Sequence, residues 1–426
     1  MKISRRALLQ AALSLPVLPL GTPGAAAAGR RPMDWLFVGT MTFKPGDAQP
    51  PEFGQHAGYS AGVYSLAFDP AQGRLGPIQL ALAAGNPVNL ILDAPRRRLY
   101  LCHGQDTVQD GQSPMSACAI EEDGTLRVLN TTLSGGRGPT HGVVDRTGRN
   151  LLTCNFSSSS VVCLRLEADG SFAERSALIG NPPAAPSAPG ATQAGAPPPS
   201  PAPLPGGGAP RSAAARGVVD PRQSKPHCVI LSGTERFALV AEIEADRVAV
   251  YRFDAAKGSL TAHTVAASEA GAGPRHLALH PSHRFVYSSD EAGSSITAWS
   301  WDEVRGELKS LQRLPTAPAE ALESNRPAHV AVHPNGRFVY VSNRGQGTLA
   351  GFAIDARRGT LRALGETPLG SPSCWCFSFD RTGRWLVAVL QTSDTVVVFE
   401  VDPRSGALRE TTRAAPVNVP TCVQYL

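Results

Sequence analysis

The chain has 426 residues, 42% of them hydrophobic and 18% charged, which is apolar enough to exclude wholesale disorder and too sparsely charged for a long coiled coil. Its net charge is +5, but Lys2, Arg5 and Arg6 fall in a segment read below as a leader. The remainder, about +2, excludes an electrostatic nucleic-acid binder, and 42 Gly with 37 Pro call for many turns.

Residues 1–28 carry the marks of an export signal: a short basic start, an apolar run from Ala7 to Leu20, then small residues. The pair Arg5-Arg6 ahead of Ala7-Leu8-Leu9 is of twin-arginine type, and Ala26-Ala27-Ala28 offers a cleavage site. The apolar run is broken by Pro16 and Pro19 and is too short to span a bilayer. The expected mature chain is periplasmic or secreted, with no membrane attachment once the leader is gone.

From residue 33 to 426 the sequence repeats. Seven segments read X-Pro, an apolar strand, a polar turn and a second apolar strand, opening at Pro87, Pro139, Pro226, Pro274, Pro327, Pro372 and Pro420. A third strand and an Asp-x-x-x-Gly-x-Leu turn into a fourth follow, as at Asp254–Leu260 and Asp355–Leu361. Short alternating runs punctuated by Gly and Asp are strand and hairpin signals. Four strands per unit, repeated in a ring, predict an all-β, seven-bladed β-propeller. The last segment supplies only a first strand, so the closing blade must borrow three strands from the N-terminus: Trp35–Thr40, Val63–Asp69 and Ile78–Ala83. The long spacing between Pro139 and Pro226 holds a Pro/Ala/Gly-rich insertion over 181–217, which cannot build a packed core and reads as a surface loop.

This topology brings the starts of the first strands and the ends of the second strands to one face of the disk, around the central funnel. The first set offers Asn89, His141, His227, Arg275, His276, Arg326 and His329; the second offers His103, Asn155, Glu242, Glu291, Asn343, Arg344 and Gln391. A nucleophile elbow, a metalloprotease motif, a P-loop and a dinucleotide fingerprint are all missing from the sequence. No cofactor is called for. No metal is assigned either, since no close pair of acids or histidines has ligand spacing. Eight cysteines in an exported chain invite pairing. Cys154 and Cys163 flank a hairpin and are expected to oppose each other as a disulfide, while Cys228, Cys374 and Cys422 share one first-strand position and read as buried thiols.

At these residues the sequence resembles the seven-bladed lactonase family, which includes bacterial 6-phosphogluconolactonases and a fungal carboxy-muconate cyclase. The resemblance is carried by Gly138-Pro139-Thr140-His141, Arg222-Gln223 before Pro226-His227, and Gly273-Pro274-Arg275-His276-Leu277. It continues through Ser342-Asn343-Arg344-Gly345 and Gln391 with Ser393-Asp394. It implies His141, Arg222, Glu242 and Arg275 as the catalytic set, with His227, His276, Glu291, Arg326, Asn343, Arg344 and Gln391 as substrate contacts. The chain departs from the family pattern at Val229, Glu244 and Ser373. The implied reaction is hydrolysis of a sugar-type or related lactone, in which Glu242 or a histidine takes a proton from water and arginines stabilise the oxyanion. A lactonizing cyclase and a non-catalytic ligand-binding propeller are the alternatives. The expected partner is a small-molecule lactone and the expected state a monomer. Glu242, ending one blade's second strand, is expected to face Arg275 across a blade junction.

Overall fold

A computed structural model describes residues 34–42, 60–104, 108–180, 223–414 and 416–426. The leader, Arg222 and the 181–217 insertion thus lie outside the described residues. Within them, 28 strands, numbered β1 to β28 in chain order, form seven four-stranded antiparallel sheets. The closing blade has the order β28-β1-β2-β3: β28 (Pro420–Tyr425) pairs with β1 (Asp34–Thr40), followed by β2 (Gly62–Asp69) and β3 (Arg74–Ala83). Both termini of the propeller are thereby tied into one sheet, as the repeat count requires. Six further blades follow along the chain, opening with β4 (Pro87–Asp93), β8 (Pro139–Val144), β12 (Pro226–Leu231), β16 (Pro274–Leu279), β20 (Arg326–Val332) and β24 (Cys374–Phe379).

The hydrophobic core lies between blades. Phe237 and Leu239 of one blade pack with Val286 and Trp299 of the next, all essentially buried. A repeated polar staple accompanies this packing. The hydroxyls of Tyr100, Tyr287 and Tyr340 each donate to the carbonyl of a turn glycine in the following blade, Gly170, Gly359 and Gly406, at 3.0, 3.0 and 2.7 Å. Gly359 and Gly406 are the Gly of Asp-x-x-x-Gly, and Gly170 closes the shorter turn Glu167-Ala168-Asp169-Gly170. At Gly359, φ is +73° and a Cβ would stand 2.2 Å from the Phe285 ring, so both conformation and space demand glycine.

The first strands share a bulge near their start. Pairing shifts between Pro87 and Asn89, Pro139 and His141, Pro226 and Cys228, Pro274 and His276, and Cys374 and Cys376. A bulge adds one residue and re-aims its side chain. His227, Arg275 and Trp375 occupy this extra position in three blades.

The second strands end in a brace. In four blades the residue paired with the start of the third strand is polar and bonds there. Asn155 Nδ2 donates to Ser134 O and Ser160 Oγ, and Asn343 Nδ2 to Thr316 O and Thr348 Oγ1. Asp290 accepts from Ser288, Ser295 and Thr297. Glu242 holds this position in its own blade, directly opposite Arg247, and pairs with it.

Two cysteine expectations are corrected. Cys154 pairs in register with Val161 and Cys163 with Leu152, so the two are offset rather than opposed, and all eight cysteines are free thiols. β24 also starts at Cys374, two residues past Pro372, so the repeat is displaced by two residues from its proline. Cys376 rather than Cys374 therefore aligns with Cys228, and Trp375 rather than Ser373 with Arg275.

Candidate active site

Four imidazoles from four successive first strands meet at the centre. The ring of His276 lies 5.2 Å from that of His141, 5.1 Å from His227 and 5.1 Å from His329. His276 and His329 are hydrogen-bonded through their Nδ1 atoms at 2.9 Å. The Nδ1 atoms of His141 and His227 are buried and have no hydrogen-bond partner among the described residues. Burial is the main force on these rings and keeps them neutral, assisted by the positive charge of Arg275. His141 is pushed down to about 4 and His329 to about 3, and His227 and His276 fall well below the ordinary imidazole value.

Beside them stands a cationic cluster built on Glu291, the residue just past the brace of its blade. Arg275 Nε lies 2.9 Å from Glu291 Oε2, and Arg344 Nη2 lies 2.9 Å from Oε1. Neither contact is aligned as a hydrogen bond, and Arg275 Nη1 has no acceptor among the described residues. Both guanidiniums lie over the ring of Trp375, at 5.8 and 5.2 Å from its centroid. Arg275 is only 3% exposed. Burial, then the charge of Arg344, lowers it to about 9, so it remains charged at neutral pH. Burial alone would raise Glu291, but Arg344 and Arg275 outweigh it and hold the carboxyl below its usual range. Arg326 flanks the cluster, its guanidinium tied to the carbonyls of Glu323 and Asn325 and within electrostatic reach of Glu291.

The structure thus brings together His141, His227, His276, Arg275, Glu291, Arg326 and Arg344. It sets others apart. Glu242 is paired with Arg247 inside its own blade, not with Arg275, whose partner is Glu291. The reason is register: Glu242 sits one residue earlier than Glu291 on its blade and falls at the brace, while the place equivalent to Glu291 is taken by Ile243. Asn343 is likewise consumed by the brace. Gln391 is fully buried, its Oε1 accepting from Ser373 and its Nε2 facing the Met41 sulfur. Arg222 lies outside the described residues. Trp375 was not among the expected site residues, because counting from Pro372 puts Ser373 in its place.

Comparison with known proteins agrees with this architecture. The family described as "Lactonase, 7-bladed beta-propeller" matches residues 36–425. The chain belongs to that family. A 6-phosphogluconolactonase of Bacillus subtilis is 27% identical over 372 residues, covering 87% of this chain and 95% of the relative. One from Pectobacterium carotovorum is 27% identical over 361 residues, covering 84% and 93%. Among solved structures, a periplasmic gluconolactonase of Pseudomonas aeruginosa superposes with a TM-score of 0.74 at 24% identity, covering 92% of this chain and 99% of its own. A Lactobacillus plantarum protein gives the same TM-score, identity and coverage. At that identity the structures speak for the fold. No helix among the described residues is long and apolar enough to cross a membrane.

Proposed function

We propose that this lactonase-family propeller hydrolyses a lactone bearing an anionic group, and that it does so after export to the periplasm or beyond. The observation that carries the reading is the juxtaposition of two buried guanidiniums, Arg275 and Arg344, with neutral imidazoles whose Nδ1 atoms have no partner. The names of the relatives, 6-phosphogluconolactonases in two bacteria, support the reaction class. The leader-like residues 1–28 support export.

The chemistry follows from the charges. His141, half-buried at the funnel and neutral, accepts a proton from water as the water oxygen attacks the ring carbonyl. Arg275 faces the negative charge that develops on the carbonyl oxygen, in a desolvated setting where such stabilisation is strongest. As the tetrahedral intermediate collapses, the ring C–O bond breaks and the leaving alkoxide takes the proton back from the imidazolium. Arg344 and Arg326 hold an anionic substituent of the substrate, with Arg222 proposed as a further cation from the family resemblance. Glu291 neutralises part of this charge and sets the orientation of both guanidiniums. A carboxylate clamped by two arginines is a poor proton acceptor, which is why the base is assigned to an imidazole.

The test is acid release from a panel of aldonolactones, with and without phosphate, followed by pH-stat on the mature chain. Turnover that is lost in His141→Asn is expected. A folded protein inert across the panel would mean that this propeller binds its ligand without transforming it.

A further inference from the structure

The residue following each first-strand bulge points to an organisation that lactone hydrolysis does not use. Around the axis these positions are Asn89, His141, Cys228, His276, His329, Cys376 and Cys422. Six consecutive blades thus present a histidine or a cysteine at one level of the funnel. Two residues further along the same strands, the level holds Ile91, Val143, Ile230, Ala278 and Ala331, with Ser378 and Gln424 in the other two blades, so it carries no comparable set of metal-binding side chains. Imidazole and thiolate are common ligands of zinc-like cations, and here the ring reads His, Cys, His, His, Cys, Cys.

We propose that His141, Cys228 and His276 form a binding site for one thiophilic divalent cation, of the zinc class. Each offers a ligand atom, and the three atoms lie within 4.8 Å of one another. In a tetrahedral zinc site, with bonds of about 2.0–2.3 Å, ligand atoms stand roughly 3.3–3.6 Å apart. The site therefore closes by about 1 Å on binding, within reach of side-chain rotation. Two observations point to a ligand. Among the described residues, His141 Nδ1 is buried without a partner, and so is Nδ1 of the neighbouring His227, a residue only 8% exposed. Buried nitrogens of this kind are ordinarily satisfied by protein, water or an ion. Cys228 is fully buried and His276 nearly so, while His141 is half-exposed, so entry and the fourth coordination position are on the funnel side. Binding replaces the thiol proton of Cys228 by the metal, and that proton passes to solvent.

The three ligands come from three blades, which is why spacing along the chain does not betray them. Metal binding here draws on the His141 and His276 lone pairs, so a metal-loaded chain and one using His141 as a base are alternative forms. The proposal is independent of the assigned reaction and is read without it.

The experiment uses the full mature chain, stripped with EDTA and titrated with Co²⁺ and, separately, Zn²⁺. The expected result is one equivalent bound, a near-ultraviolet thiolate-to-cobalt charge-transfer band, and displacement of that band by Zn²⁺. Cys228→Ser should abolish the band and weaken binding at least ~10-fold, whereas Cys422→Ser should keep both. Should Cys228→Ser fail to fold, alkylation of the native wild-type chain followed by peptide mapping decides the matter, with Zn²⁺ expected to protect Cys228 selectively. Absence of a thiolate band in folded wild type, a band that survives Cys228→Ser, or alkylation of Cys228 unaffected by Zn²⁺ would overturn the site. Lactone turnover by the EDTA-treated chain is scored apart, so failure of either reading leaves the other standing.

Discussion

Glu242 and Glu291 end equivalent strands of neighbouring blades, yet they belong to different regions. Glu242 lies at the brace, where its blade is fastened internally to Arg247. Glu291 stands one residue further on, at the mouth, and gathers arginines from its own blade and the next. In the brace, Glu242 and Asp290 are matched within their own sheets. In the mouth, charge is gathered across blades and N–H groups are left unsatisfied. A single step along the chain separates a residue that holds the fold from one able to meet a ligand, because successive strand residues face opposite ways.

The comparison breaks most visibly at Arg275. If the mouth performs chemistry, Arg275→Ala lowers kcat/KM by ~10²–10³-fold, the loss typical of one oxyanion donor. Arg275→Lys restores little, because the forked guanidinium geometry is lost. Full activity in the folded alanine variant would move the chemistry elsewhere.

The brace answers to pH. Burial raises the Asp290 carboxyl to about 6, against the lowering effect of its three hydroxyl donors. Its unfolded value is about 3.8, so between roughly 3.8 and 6 the folded state binds more protons than the unfolded state. By linkage, the contribution of Asp290 to stability is greatest below that window and declines as pH rises through it. Asp290→Asn, which installs the residue that Asn155 and Asn343 supply at the same place, should remove this slope. Wild type minus variant is then expected to change by up to about 3 kcal/mol between pH 4 and pH 7, at about 1.4 kcal/mol per unit. Denaturant melts at several pH values measure it, and parallel curves for the two proteins would refute it.

These positions also show what could be read from the chain before its structure. The X-Pro repeat, the turn glycines and the split closing blade were legible, because each follows from local chemistry or from counting strands. So was the gathering of His141, His227, His276, Arg275, Glu291 and Arg344 at one face, since strand ends are fixed by the repeat. The partner of Glu242 was not. A one-residue register pairs it with Arg247 rather than Arg275, and sequence similarity alone places it in the catalytic set. Trp375 escaped for a similar reason: β24 starts two residues past its proline. The Cys154–Cys163 pairing failed because the hairpin between them pairs Ser160 with Asn155, which leaves the two sulfurs on offset rungs.

The reciprocal of the Arg275 experiment is Glu242→Gln. The shape is kept and the ion pair with Arg247 is replaced by a neutral contact, at a cost of ~1–3 kcal/mol for a buried charge-assisted bond. We expect a lower Tm with kcat and KM unchanged. Loss of turnover with an unchanged Tm would reverse the assignment and return Glu242 to the chemistry.

The smallest effect is expected at Trp375, and it tests whether the mouth is organised or merely charged. Arg275 and Arg344 both lie over its half-buried indole ring, which attracts cations through its quadrupole by ~0.5–1 kcal/mol each at partly exposed sites. Like charges brought together by one carboxylate need such a surface, since Glu291 carries a single negative charge against two positive ones. Trp375→Leu keeps an apolar floor and removes the π face, so the guanidiniums lose orientation but not charge. KM for an anionic lactone is expected to rise ~2–10-fold, with kcat changed less and with Trp375→Phe falling between. A rise in KM of the same size for a neutral lactone would mean that the ring acts by packing alone, and the cationic mouth would then owe its geometry to Glu291.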